Sequence, residues 1–163
     1  MDFVDMLSQQ VGLLLNTSRS ALMDMLTQFS DLSSLIQPYI TEPKEYPYGR
    51  NIIYKSDEIE IIVINLPANS HTFIHDHGKS ECCGRVIQGE IVNVEYEADD
   101  LEQVRISNEH RVHAGEIFCT PLGVIHQMQN RQDERVISLH VYSPPIMGLK
   151  VYAQPKLFEH QIR

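Results

Sequence analysis

Apolar residues in the first forty positions recur at helical spacing. Phe3, Leu7, Val11 and Leu14 are separated by four, four and three residues, which stacks them on one helical face. Thr17 and Ser18 predict the start of a second helix, along which Leu22, Met25, Leu26 and Phe29 repeat the stripe. Leu32, Leu35 and Ile36 extend that stripe until Pro38, which cannot continue a helix. Both stripes read as core-packing faces. Residues 41 to 50 hold Pro43, Pro47 and Gly49 and predict an extended connector. Beyond it the period drops to two. Ile59, Ile61 and Val63 alternate with Glu60, Ile62 and Ile64, and β-branched runs recur at Thr72 to His75, Ile91 to Tyr96, Val104 to Ile106 and Val136 to Tyr142. The turn-rich stretches Leu66 to Ser70, Gln88 to Glu90 and Thr120 to Gly123 separate these short strands, as in an antiparallel barrel or sandwich. The pattern predicts a mainly β chain: one domain over 1–163, with a helical extension at 1–40 packed on a β-barrel at 46–155.

Composition narrows the function. The chain has 163 residues, 42% of them hydrophobic, which suits one globular domain with an ordinary core. With 22 acidic and 13 basic side chains the formal charge is −9, so the surface repels nucleic-acid phosphates and no nucleic-acid partner is expected. The apolar run Val11 to Leu15 is far below the roughly 20 residues a bilayer requires. Asp2 and Asp5 do not make the basic start of a signal peptide, so a soluble chain without a membrane partner is expected. The three cysteines are an odd count, and the neighbours Cys82 and Cys83 cannot easily close an unstrained bond with each other. They suggest a reducing cytoplasm, with Cys83 a plain buried thiol. A monomer is the default expectation.

The eight histidines are the unusual feature. In a strand, residues two apart face the same way, so His75 and His77 of His75-Asp76-His77 would present both imidazoles on one side. An exposed polar strand face gives the same pattern, and the motif becomes specific only in combination with residues downstream of it. Cys82 and Gly89 come next, and then Gly115-x5-Pro121-x-Gly123-x2-His126-x3-Asn130. His71 has the same parity as His75 but lies four strand residues away, roughly 13 Å at the usual rise, beyond the reach of a shared metal. His110 and His160 have no motif around them and read as surface residues.

These two blocks resemble the paired motifs of the cupin superfamily, whose double-stranded jelly-roll barrel carries two metal ligands on one strand and a further histidine across the barrel. The first block has Asn69 where a leading glycine is usual and Cys82 where many cupins place a ligating glutamate; the second matches at every position. Without that glutamate, three neutral imidazoles leave a divalent ion its full charge, a site that favours a soft anionic ligand such as a thiolate. Ser138-Leu-His140-Val-Tyr142-Ser-Pro-Pro resembles the Ser-x-His-x-Tyr segment of the cysteine dioxygenases, a cupin branch with a three-histidine iron(II) site. Tyr48-Gly-Arg50-Asn51 resembles the Tyr-x-Arg-Asn element of the same family. The resemblance runs from about Tyr46 to Val151.

The resemblance implies oxidation of L-cysteine by O2 to cysteine sulfinate. His75, His77 and His126 would hold Fe(II), Arg50 would clamp the substrate carboxylate, and Tyr48 and Tyr142 would place phenols near the reactants. His140, linked to Ser138, would orient Tyr142. Cys82 stands where animal-type members carry a cysteine cross-linked to the active-site tyrosine, so a Cys82–Tyr142 thioether is permitted. Ser143-Pro144-Pro145 admits a cis bond, although trans is the statistical default. Three alternatives stay open: a dioxygenase for a related thiol such as 3-mercaptopropionate, a small-ligand-binding cupin without chemistry, and a zinc or nickel cupin.

Overall fold

The computed structural model describes residues 1–155. Helix α1 spans Phe3–Gly12 and starts from a reciprocal cap, in which Asp2 accepts from the Asp5 amide at 2.8 Å and Asp5 accepts from the Asp2 amide at 3.3 Å. Helix α2 spans Arg19–Thr27 and opens at Ser18, whose hydroxyl accepts from the Ala21 amide. It stops earlier than its apolar stripe predicts. Thr27 Oγ1 and Gln28 Nε2 both donate to the Asp24 carbonyl, and Arg85 Nη1 donates to the carbonyls of Leu26 and Phe29 at 2.8 Å each. Side chains thus take carbonyls at the end of α2, as helix termini require. The rest of the stripe lies on a separate short helix, α3, at Leu32–Leu35, and Pro38 sits inside a single 3-10 turn at Gln37–Tyr39 rather than ending the structure.

Eleven strands follow among the described residues: β1 Gly49–Lys55, β2 Glu60–Leu66, β3 Ser70–His71, β4 Ile74–Asp76, β5 Glu81–Gln88, β6 Glu90–Ala98, β7 Val104–His113, β8 Ile117–Thr120, β9 Ile125–Asn130, β10 Val136–Ser143 and β11 Lys150–Tyr152. One sheet has the order β1-β2-β10-β5-β8. The other has β11-β4-β9-β6-β7, with β3 alongside β9. Every pairing is antiparallel. The extended connector expected at 41–50 gives way to β1 at Gly49, so Arg50 stands on a sheet rather than in a loop.

Strands β2 and β10 are buried along their whole length because each has a packed layer on both sides. Ile59, Ile61, Val63, Ile137, Leu139 and Val141 face outward and join Phe3, Leu7, Leu22, Leu26 and Ile36 of the helices in one apolar cluster. The alternate residues Ile62, Ile64 and Leu66 face inward and meet Ile91, Val112 and Met128 of the opposite sheet. The helices therefore cover the outer face of the first sheet, and the polar side of β10 looks into the barrel. Asn69, in place of the motif glycine, has φ +54°, in the left-handed region that asparagine tolerates better than most residues. The Ser143–Pro144 bond is cis. No helix among the described residues is long and apolar enough to cross a membrane.

The expectation for Cys83 needs correction. It pairs with Cys119 in a disulfide across β5 and β8, where the register sets the two residues directly opposite with their Cα atoms 4.1 Å apart. The cysteine pattern therefore does not point to a reducing compartment.

Arg85 ties the helical layer to the barrel with one half-buried cation. Replacing Arg85 by Met, which keeps the apolar stem, is expected to cost about 1.5–3 kcal/mol of stability in urea unfolding. A loss below about 0.5 kcal/mol would show that the two carbonyls are satisfied without it.

Candidate metal centre

His75 lies on β4, His126 lies directly opposite it on β9, and His77 follows one residue beyond the end of β4. His77 is therefore not on the strand, yet its ring still turns toward the other two. The Nε2 atom of His77 stands 3.1 Å from that of His75 and 3.2 Å from that of His126. The donor atoms of all three lie within 4.8 Å of one another.

The outward nitrogens decide what these short distances mean. His75 Nδ1 lies 2.7 Å from the Phe73 carbonyl, and His126 Nδ1 lies 2.8 Å from Asn93 Oδ1. Both partners only accept, so each Nδ1 carries the proton and donates it, which leaves a bare lone pair on Nε2. The lone pairs of His75 and His126 both face His77 Nε2, an arrangement that a cation among the three rings stabilises. At metal–nitrogen bonds of about 2.0–2.1 Å, donors on adjacent positions of an octahedral or tetrahedral coordination sphere stand about 2.8–3.4 Å apart. The two measured separations fit that range. The residues present therefore suit a metal ion bound by three imidazoles with coordination positions to spare.

Burial keeps the rings neutral. It lowers the pKa of His75 and drives that of His126 well below the usual value. His77 is pushed down to about 3, by burial first and then by His75 and His140. His77 Nδ1 is buried with no hydrogen-bond partner among the described residues.

The inward face of β10 brings Ser138, His140 and Tyr142 to the same cavity, all buried. Ser138 Oγ and His140 Nε2 are 2.7 Å apart. The next link differs from a continuous hydrogen-bonded chain: His140 and Tyr142 meet as stacked rings with centroids 6.2 Å apart, as two residues on one strand face do. Tyr142 also meets His77 edge to face at 5.4 Å. Gly84 of β5 makes room for His140, because a Cβ there would lie 2.8 Å from two imidazole atoms. Burial pushes His140 down to about 3.

Cys82 lies directly across β5 and β10 from Tyr142, so thiol and phenol face the same side of the sheet as neighbours. Burial raises the thiol to about 12 and the phenol well above its usual value, so both hold their protons at neutral pH. The space these groups leave is narrow, about 30 Å³, and Tyr48, Arg50, His75, His77, His126 and Tyr142 help to line it.

The residue-by-residue reading missed Glu60. It is only 2% exposed, points into the barrel, and lies 3.6 Å from Arg50 Nη2 and 3.3 Å from Lys55 Nζ. The signal was a lone acid within a run of isoleucines and valines, where an unpaired charge is rarely buried. His71 stands apart from the metal site, with Nδ1 3.0 Å from Gln127 Nε2, and exposed His113 pairs with Glu90. His110 is half-buried on β7, and His160 lies outside the described residues.

The depressed histidines couple stability to acid. In the unfolded chain they take protons near pH 6.5, whereas in the fold His77 and His140 resist to about pH 3. Their contribution is complete above pH 6.5 and is lost as the pH falls through that window. Unfolding of the metal-free chain is expected to cost less at pH 5 than at pH 7, on the order of 2 kcal/mol for each of these two rings. His140→Gln should make the fall shallower. An equal slope in the variant would place the acid sensitivity elsewhere.

The barrel is similar to solved structures that share little sequence with it. A conserved Klebsiella pneumoniae protein with a double-stranded β-helix domain is 20% identical, with a TM-score of 0.57 over 77% of this chain and 96% of that one. TT1209 from Thermus thermophilus is 17% identical, with a TM-score of 0.56 over 71% of this chain and 96% of its own. The Cnp3 cupin domain of Schizosaccharomyces pombe is 14% identical, with a TM-score of 0.56 over 66% of this chain and 71% of that one. These likenesses establish a cupin-type barrel. The family model described as cysteine dioxygenase type I matches residues 35–155, a span that contains the three histidines, Arg50 and the whole inward face of β10; the chain belongs to the cysteine dioxygenase type I family.

Proposed function

We propose that the chain is an iron(II)-dependent dioxygenase that converts L-cysteine and O2 to cysteine sulfinate. One observation carries this: the metal-binding cluster is made of three uncharged imidazoles and no carboxylate. A divalent ion there keeps its whole charge and favours an anionic partner, and a thiol loses its proton on coordination. Bound there, ferrous iron would bring thiolate and O2 together and accept and pass on electrons between sulfur and oxygen. Both atoms of O2 end on sulfur, the thiol proton is released, and no outside reductant is consumed.

The protein's own groups select and hold the substrate. Arg50 presents a planar fork suited to a carboxylate, and the buried Glu60 carboxylate lies 3.6 Å from its Nη2 as an ion-pair partner. Tyr46 supports it from one face, with the guanidinium carbon 6.0 Å from the ring centroid. A charged clamp beside the triad favours a thiol that carries a carboxylate, and an arginine rather than a glutamine at this position resembles the cysteine branch. Tyr142 keeps its phenolic proton and can donate it to an oxygen atom in the cavity, while His140 stacks against the ring and limits its orientation. The cross-strand pairing of Cys82 and Tyr142 supports a thioether between Sγ and a ring carbon beside the phenol. The thiol hydrogen and one ring hydrogen leave as two protons and two electrons, which one O2 takes up to become H2O2.

Oxygen uptake with L-cysteine and with 3-mercaptopropionate, followed by mass spectrometry of the products, tests this reading. L-cysteine is expected to be preferred and to gain two oxygen atoms. Arg50→Gln should weaken kcat/KM for L-cysteine by about 10–100-fold while changing 3-mercaptopropionate turnover less. Preference for 3-mercaptopropionate would overturn L-cysteine as the substrate, and cysteine binding without oxygen consumption would favour a ligand-binding cupin. Peptide mapping of the turned-over sample should find Cys82 joined to Tyr142; complete recovery of the free peptides would remove the thioether.

A further inference from the structure

Two of the three ligand rings have an outward partner, and both partners are uncharged. His75 donates to the Phe73 backbone carbonyl, and His126 donates to the side-chain oxygen of Asn93. Only the second of these partners is a side chain. Asn93 lies on β6 opposite Met128, while Glu95, two residues further on, stands opposite His126; Asn93 is thus the diagonal inward neighbour of the ring. It is 1% exposed and its amide nitrogen has no acceptor among the described residues.

A half-satisfied buried amide is a costly residue to keep among Ile91 and Met128, where an apolar side chain would pack without penalty. Its orientation is set by the ring. With the amide turned round, Nδ2 would donate to His126 Nδ1, the ring proton would move to Nε2, and the lone pair facing His77 would be lost. Aspartate at this position would accept the same hydrogen bond more strongly, as carboxylates often do behind metal-bound histidines. It would also add a negative charge close to the ion.

We propose that Asn93 is a positioning residue that locks His126 in its Nδ1-protonated form without adding charge, so that a metal ion at the triad keeps its affinity for anions. This rests on the triad being a metal centre and is independent of which thiol is the substrate. The whole chain can therefore be tested with cobalt(II) in place of iron and azide in place of thiolate. Cobalt affinity is measured by competition with a chromophoric chelator, and azide affinity from the visible spectrum of the cobalt form.

Asn93→Leu removes the acceptor and is expected to lower cobalt affinity about 10–100-fold, with little change in the melting temperature of the metal-free chain. Asn93→Asp keeps the acceptor and is expected to hold cobalt at least as tightly as the native chain while binding azide about tenfold more weakly. A purely structural role would move both variants together and leave the azide affinity of loaded protein unchanged. Cobalt affinity of Asn93→Leu within about threefold of native, or native azide affinity in Asn93→Asp, would overturn the proposal. Should Asn93→Leu fail to fold, the azide affinity of Asn93→Asp decides alone. Failure of the native chain itself to bind cobalt would overturn the metal centre beneath the proposal.

Discussion

The lone pairs of His75 and His126 converge on the neutral ring of His77 inside this barrel, and the rest of the site is arranged to keep them that way. Burial removes the option of protonation at neutral pH, since a charged imidazole in this cavity would be poorly solvated and would repel its neighbours. The acceptors behind His75 and His126 direct their protons outward. The result is a cluster of neutral rings in which the bare nitrogens of His75 and His126 face inward, donors that a cation satisfies.

The fold supplies this convergence through two-sided burial. Strands β2 and β10 carry apolar residues outward to the helices and a mixed set inward to the cavity, so the helical layer frees the inner face from supplying the whole core. That inner face can then hold Glu60, Ser138, His140 and Tyr142 in place of hydrophobic residues. The disulfide between Cys83 and Cys119 lies on the outer side of β5, while Cys82 turns inward to Tyr142. Neighbouring cysteines thus serve opposite faces of one strand, as strand alternation requires.

Much of this is legible in the chain itself. The helical stripes and the β2 and β10 runs depend on local periodicity, which sequence carries directly, and the two metal-ligand blocks are legible through their resemblance to the cupin motifs. Other features depend on register. Nothing near Cys83 announces that Cys119, across on β8, will stand opposite it, and nothing near Leu26 announces Arg85. Only the first three residues of the outer strand β7 are legible, because charged side chains replace an apolar alternation along its exposed edge. The break between α2 and α3 is hidden by a stripe that continues in phase through both. Asn93 and Glu60 escape notice for a related reason: each is a polar residue flanked by apolar ones, and only the partner on the neighbouring strand gives it a role.

An uncharged ligand set with uncharged acceptors behind two of its rings links the site to a deprotonated sulfur more closely than any single residue does. X-ray absorption at the iron edge of iron(II)-loaded protein, recorded without oxygen before and after addition of L-cysteine, examines that link directly. The account predicts scattering from three imidazole rings in both states and one sulfur neighbour that appears only with the substrate. Fewer than three imidazoles, or an unchanged sulfur-free shell in the presence of cysteine, would contradict it.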